Sequence, residues 1–158
     1  MNDYYRQLSA RLILLLLSLY ANCAPAETLI FTCIRLERDY REIYELQVRT
    51  PVPNSGTQKG KVYLDGRDLD RLGSDGNQII KNVVISKDQV SYLSDTHFDA
   101  EVFDGISYSP GSVTALVMID RRSGKLRRVE TVSGGILASS LGEGTKTYEE
   151  ECAPTNRF

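Results

Sequence analysis

The chain has 158 residues, 25% of them charged, with 19 Lys or Arg against 21 Asp or Glu, three Cys and no Trp. This near-balance excludes a global electrostatic pull on nucleic acid. The length is enough for one domain with a real core.

The N-terminus has the three parts of a secretory leader. Arg6 and Arg11 stand in a polar lead, Leu12-Ile13-Leu14-Leu15-Leu16-Leu17-Ser18-Leu19-Tyr20 is an apolar run, and Ala24-Pro25-Ala26 puts small residues where signal peptidase reads them. Residues 1–26 are expected to be a signal peptide cut after Ala26, leaving 27–158 as a single exported β-rich domain, periplasmic or secreted. A buried N-terminal helix is the alternative, but four consecutive leucines followed by Ala-Pro-Ala fit export better. The apolar run is about half of what a helix needs to cross a hydrocarbon core, so no permanent membrane anchor is expected. A lipoprotein signal around Cys23 would need a small residue just before it and an aliphatic one three before, where Asn22 and Tyr20 stand. Loss of the leader removes Arg6, Arg11 and Asp3, so the counts fall from 19 and 21 to 17 and 20, a net charge near −3.

Cys33 and Cys152 then remain, near the two ends of the mature chain. In an oxidising compartment an isolated pair is most simply a disulfide, here one that ties the first strand to the last. The chain-entropy description assigns so long a loop about 4–5 kcal/mol as an upper figure. Neither cysteine has the Cys-x-x-Cys spacing of redox or zinc sites.

Period-two alternation and β-branched residues dominate the mature chain. Leu29 to Leu36 suits a central strand, and Tyr44, Leu46 and Val48 alternate with polar residues as a strand with one wet face, although Tyr40, Ile43 and Tyr44 also fit a helical turn. Thr50 to Gly60 is an exposed loop rich in Pro and small polar residues. A short strand at Lys61 to Leu64 enters the Asp- and Gly-rich run Asp65 to Asn77, read as turns. Ile79 to Ile85 and Gln89 to Leu93 form a hairpin around Ser86-Lys87-Asp88. Val102, Ile106 and Tyr108 lead to a reversal at Ser109-Pro110-Gly111. Val113 to Ile119 and Leu126 to Val132 form a second hairpin around Asp120 to Lys125. Ser133 to Lys146 holds a loop or short helix around Ile136 to Leu141, before a last strand to Cys152. The predicted class is mainly β: an antiparallel sandwich or small barrel with one N- to C-terminal disulfide.

Two clusters invite a functional reading. Asp95, His97, Asp99 and Glu101 fall on one face of an extended strand, and one imidazole among carboxylates is a candidate metal site or hydrolytic centre; a solvated strand face explains the same pattern. Arg121, Arg122, Lys125, Arg127 and Arg128 put five cations into eight residues at a hairpin, a candidate grip for an anionic ligand or an envelope protein, or a charged tip that protects a sheet edge. No aromatic residue interrupts that run to stack on a base. Several motifs fail on inspection. Asp68-x-Asp70 puts Leu72 and Ile79 where an EF-hand needs oxygen ligands. Gly142 to Thr147 lacks the Gly-Lys-Ser/Thr ending of a phosphate loop, and Gly-x-Ser-x-Gly does not occur. No cofactor is expected.

The leader, the early strand cysteine, the hairpin Ile119-Asp120-Arg121-Arg122-Ser123-Gly124-Lys125-Leu126 and the late cysteine together resemble short, mostly uncharacterised exported proteins of proteobacteria. That resemblance implies a periplasmic β-rich domain and carries over no catalytic residue. More distantly, Thr32-Cys33 resembles the opening strand of periplasmic lysozyme inhibitors, small disulfide-tied barrels; this chain is longer and lacks a placeable inhibitory loop. The expected function is a non-enzymatic periplasmic binding or protein-interaction module. The alternatives are a metal-dependent or carboxylate hydrolase centred on His97 and a structural envelope component.

Overall fold

A computed structural model of the chain describes residues 27–37, 40–51, 59–73 and 76–155. The leader expected at residues 1–26 and most of the loop between Thr50 and Gly60 lie outside the described residues. The element order is β1 (Thr28–Glu37), β2 (Tyr40–Arg49), β3 (Lys61–Leu64), β4 (Arg67–Asp68), β5 (Arg71–Gly73), β6 (Gly76–Ile85), β7 (Gln89–Phe98), β8 (Glu101–Phe103), β9 (Ile106–Tyr108), β10 (Gly111–Asp120), β11 (Lys125–Gly134), α1 (Gly135–Leu141) and β12 (Gly144–Pro154). Ten strands pair in the order β4-β3-β2-β1-β12-β11-β10-β7-β6-β5, every pair antiparallel, and β8 and β9 form a separate hairpin. The two ends of this order come round until β3 lies beside β6, so the sheet curls into a nearly closed barrel, the small-barrel branch of the predicted class.

The turn chemistry explains the local reversals. Asp65-Gly66 and Asp104-Gly105 both take positive φ at both positions, the mirror-image turn that matches strand twist, and they close the β3–β4 and β8–β9 hairpins. Two expectations are corrected as a result. The run from Asp65 to Asn77 contains β4, β5 and the start of β6 rather than turns alone, and the strand expected to run through Glu101 ends at Phe98, where the β8–β9 hairpin leaves the sheet. The helical alternative for Tyr40 to Tyr44 is not adopted, since those residues lie within β2.

Near closure brings β3 and β6 together without a ladder between them. At this seam the Asp70 carboxylate accepts hydrogen bonds from Lys59 Nζ at 2.9 Å, Lys61 Nζ at 2.8 Å and the Ile80 backbone N–H at 2.8 Å. Gly60 permits the approach, because a Cβ there would lie 2.4 Å from Val83 Cβ. Burial works against the charge on Asp70, yet the Lys61, Ile80 and Lys59 contacts together hold its carboxyl below the usual carboxylate range.

Alternate residues on each strand point inward. Around the end bearing the Asp120–Lys125 turn, the interior is apolar and closed: Phe31, Val48, Val62, Val90, Ile119 and Leu126 pack with the Cys33–Cys152 disulfide. The two cysteines are direct cross-strand partners in the β1–β12 register, with Cα atoms 4.0 Å apart. A bulge between Lys81 and Val84, with Asn82 at positive φ, shifts β6 by one residue. Ile80, Val83 and Ile85 thereby all join the core side.

Candidate ligand cavity inside the barrel

Past the disulfide the interior changes character. The inward positions next along the strands are Arg35 on β1, Tyr44 on β2, Glu150 on β12, Arg128 and Glu130 on β11, and Tyr92, Ser94 and Thr96 on β7. With Val113, Ala115 and Val117 of β10 and Leu46, Leu64 and Leu69 across the lumen, they line a cavity of about 290 Å³. Small-molecule sites begin at about this size. The apolar core closes one end of the barrel, while Arg35, Arg128 and Glu130 keep 26, 22 and 17% of their side-chain surface exposed, so the cavity reaches solvent toward the other end.

Glu150 anchors the polar wall. Its side chain is 1% exposed and accepts hydrogen bonds from Arg35 Nε at 3.1 Å and from the Tyr44 hydroxyl, while Arg128 Nη2 stands 3.7 Å away. Continuing the Cys33–Cys152 register by one residue on the same face places Arg35 opposite Glu150. Arg35 also binds Glu42 at 3.1 Å and lies over the Tyr44 ring, 5.4 Å from its centroid. Burial, helped by the hydrogen bond to Glu150, pushes the Tyr44 phenol well above its ordinary pKa, and burial does the same to Tyr92. Both phenols therefore present neutral hydroxyls to the lumen at physiological pH.

The connections at the open end carry exposed apolar side chains: Leu36 and Tyr40 at the β1–β2 reversal, and Val102, Phe103 and Ile106 on the β8–β9 hairpin.

The five cations at the hairpin do not form one surface. Arg127 and Arg128 are consecutive on β11 and so point to opposite faces, and Arg128 belongs to the lumen. Arg122 is held by Asp88 at 2.6 Å, and Arg121 bonds the Ser86 carbonyl and faces Glu27 at 3.6 Å. Lys125 and Arg127 are the exposed members outside these pairs. The acidic cluster is likewise divided. His97 is 56% exposed on the face of β7 away from the lumen, 3.3 Å from Asp95, whose other oxygen is held by Lys81 at 2.7 Å. Asp99 lies past the strand end and Glu101 on β8. Among the described residues, no group of three or more His, Cys, Asp or Glu is placed to hold a metal ion.

Glu150, Arg35, Tyr44, Tyr92 and Glu130 were not among the candidate residues read from the sequence, although the cysteines carried a signal for two of them. A disulfide residue in a strand faces inward, so the residue two away, Arg35 beside Cys33 and Glu150 beside Cys152, faces inward too. Comparison with protein-family models, with curated proteins and with solved structures finds no match.

Proposed function

We propose that this chain is an exported, non-enzymatic barrel that binds a small molecule in its lumen, residues 1–26 being a signal peptide removed after Ala26. The observation that carries the reading is the polar wall centred on the buried Glu150, which lines one cavity with the apolar strip Val113-Ala115-Val117. A barrel interior required only for stability is filled with apolar side chains, and burying ions there is a poor way to gain stability. An apolar cavity with a few convergent polar groups is the usual form of a small-molecule site. The Cys33–Cys152 bridge supports export, since such bonds persist outside reducing compartments. Among the described residues no helix is long and apolar enough to cross a membrane.

A fragment screen on the uniformly ¹⁵N-labelled mature protein, read by amide shifts, tests binding. Ligands are expected to perturb Tyr92 to Thr96, Val113 to Val117 and Arg128 to Glu130, and Ala115→Leu or Val113→Phe, which fill the lumen, are expected to abolish the effect. Shifts confined to the outer face, or binding retained in both filled variants, would contradict the reading. Intact mass of the protein recovered from its native compartment is expected to begin at Glu27, with Cys33 and Cys152 oxidised.

A further inference from the structure

Within the lumen the two arginines are not equivalent. Arg35 donates to Glu150 and to Glu42, each at 3.1 Å. Arg128 donates no hydrogen bond to any described residue. Its closest acidic oxygens, on Glu150 and Glu130, stand at 3.7 and 3.8 Å, too far for a hydrogen bond, and its Nε is buried without a partner. The guanidinium lies over the Tyr148 ring, 4.7 Å from the centroid. Glu130, one inward position closer to the open end, accepts no hydrogen bond from any described residue, and Arg128 at 3.8 Å is its nearest cation. A donor fork and a carboxylate thus stand side by side on the cavity wall without hydrogen bonds to described residues, and the buried Arg128 Nε is costly to leave unpaired.

Charge narrows what would pair with them. Among the residues that line the cavity, Glu130 and Glu150 balance Arg35 and Arg128, so the wall carries no net formal charge to draw an ion of either sign. An anionic head group seeking Arg128 would meet Glu130 beside it, and an ammonium seeking Glu130 would meet Arg128; like charges at such distances are disfavoured. A neutral group with an acceptor and a donor on neighbouring atoms satisfies both residues at once.

Building on the reading of the lumen as a ligand site, we propose that it recognises an uncharged head group of this kind, an amide or a vicinal diol, carried on a short apolar body. The acceptor takes Arg128 N–H groups, the donor gives to Glu130, and the body lies along Val113, Ala115 and Val117. The volume of about 290 Å³ limits the body to a short chain or a single ring.

Four probes with the same six-carbon body test this: hexanamide, 1,2-hexanediol, hexanoate and hexylamine, titrated into the mature protein at pH 7 and followed by amide shifts of the lumen residues. Hexanamide or 1,2-hexanediol is expected to bind at least tenfold more tightly than either ion, and the better of the two identifies the head group. Glu130→Gln is expected to bring hexanoate close to the neutral probes, and Arg128→Met to do the same for hexylamine. Tightest binding by hexanoate or hexylamine, or equal binding by all four, would overturn the head-group assignment while leaving the cavity as a site. No perturbation of lumen residues by any probe would overturn the cavity reading as well. Far-UV circular dichroism of Glu130→Gln and Arg128→Met checks that each variant keeps its strands, and Arg128→Lys, which retains the charge but loses the fork, is expected to weaken hexanamide as Arg128→Met does.

Discussion

Replacing Glu150 by Ala is the sharpest perturbation of the barrel interior. The carboxylate is 1% exposed and holds Arg35 and Tyr44. Removing one partner of a buried ion pair costs about 3–5 kcal/mol, chiefly through the charge left behind. Arg35 retains Glu42 and about a quarter of its surface in solvent, which puts the ion-pair loss near the bottom of that range. The Tyr44 hydroxyl loses its acceptor and adds about 1 kcal/mol. The expected loss is therefore about 3–4 kcal/mol, a large share of the 5–15 kcal/mol that holds a domain together. Glu150→Gln keeps the shape and an acceptor oxygen, and should cost about 2 kcal/mol. The double variant Arg35→Met with Glu150→Leu exchanges the pair for apolar groups and is expected to lie within about 1 kcal/mol of the parent. Urea unfolding at pH 7 with the disulfide intact, followed by far-UV circular dichroism, measures all of these. A Glu150→Ala loss under about 1 kcal/mol, or strictly additive effects of the two replacements, would refute the buried network.

Replacing Cys33 and Cys152 together by Ala is expected to lower stability by about 2–5 kcal/mol in the same assay, since the bridge closes nearly the whole domain. Tyr44 and Tyr92 have folded pKa values raised above the unfolded one, so their contribution is complete below about pH 10 and is lost as pH rises further. Tyrosinate absorbance should show two phenols ionising only with the unfolding transition. Asp70 has the opposite sign: its folded pKa is lowered, so its contribution is present above about pH 4 and is lost as pH falls through the folded value. Asp70→Ala should cost about 1–2 kcal/mol at pH 7, the partial exposure of Lys59 and Lys61 keeping the figure small, and should flatten the acid limb of the stability–pH curve. Hydrogen exchange at the Ile80 amide should quicken in that variant. Gly124→Ala should cost more than about 1 kcal/mol by thermal melting, because Gly124 has positive φ and a Cβ there would lie 2.3 Å from the Cys152 carbonyl oxygen.

Much of the fold was legible because its information is local. The turn at Ser86-Lys87-Asp88 and the one from Asp120 to Lys125 sit between alternating apolar runs, and the β6–β7 and β10–β11 pairs follow from them. Asp65-Gly66 and Asp104-Gly105 carried equally clear hairpin signals, but their strands are only two to four residues long and too short to show alternation. The bulge at Asn82 hid a core position, since Val83 breaks the parity set by Ile80. The cavity is harder to read because its wall is gathered from long strands that are distant in sequence. Proximity along the chain groups Arg128 with Arg127, whereas strand geometry sends the two to opposite faces. Arg35 and Glu150 read as ordinary surface charges until the register through the disulfide sets them opposite one another on the inward face. Closure itself depends on β3 meeting β6 through Asp70, a contact that no sequence period encodes.

The most direct test of ligand binding inside the barrel is a set of intermolecular nuclear Overhauser effects between the tightest-binding six-carbon probe and the methyl groups of residues 27–158. Cross-peaks from the ligand chain to Val113, Ala115 and Val117, with none to Val84 or Leu116 on the outer face, are expected. Cross-peaks to the outer-face methyls with silence from those three would show that the lumen is not where the ligand binds.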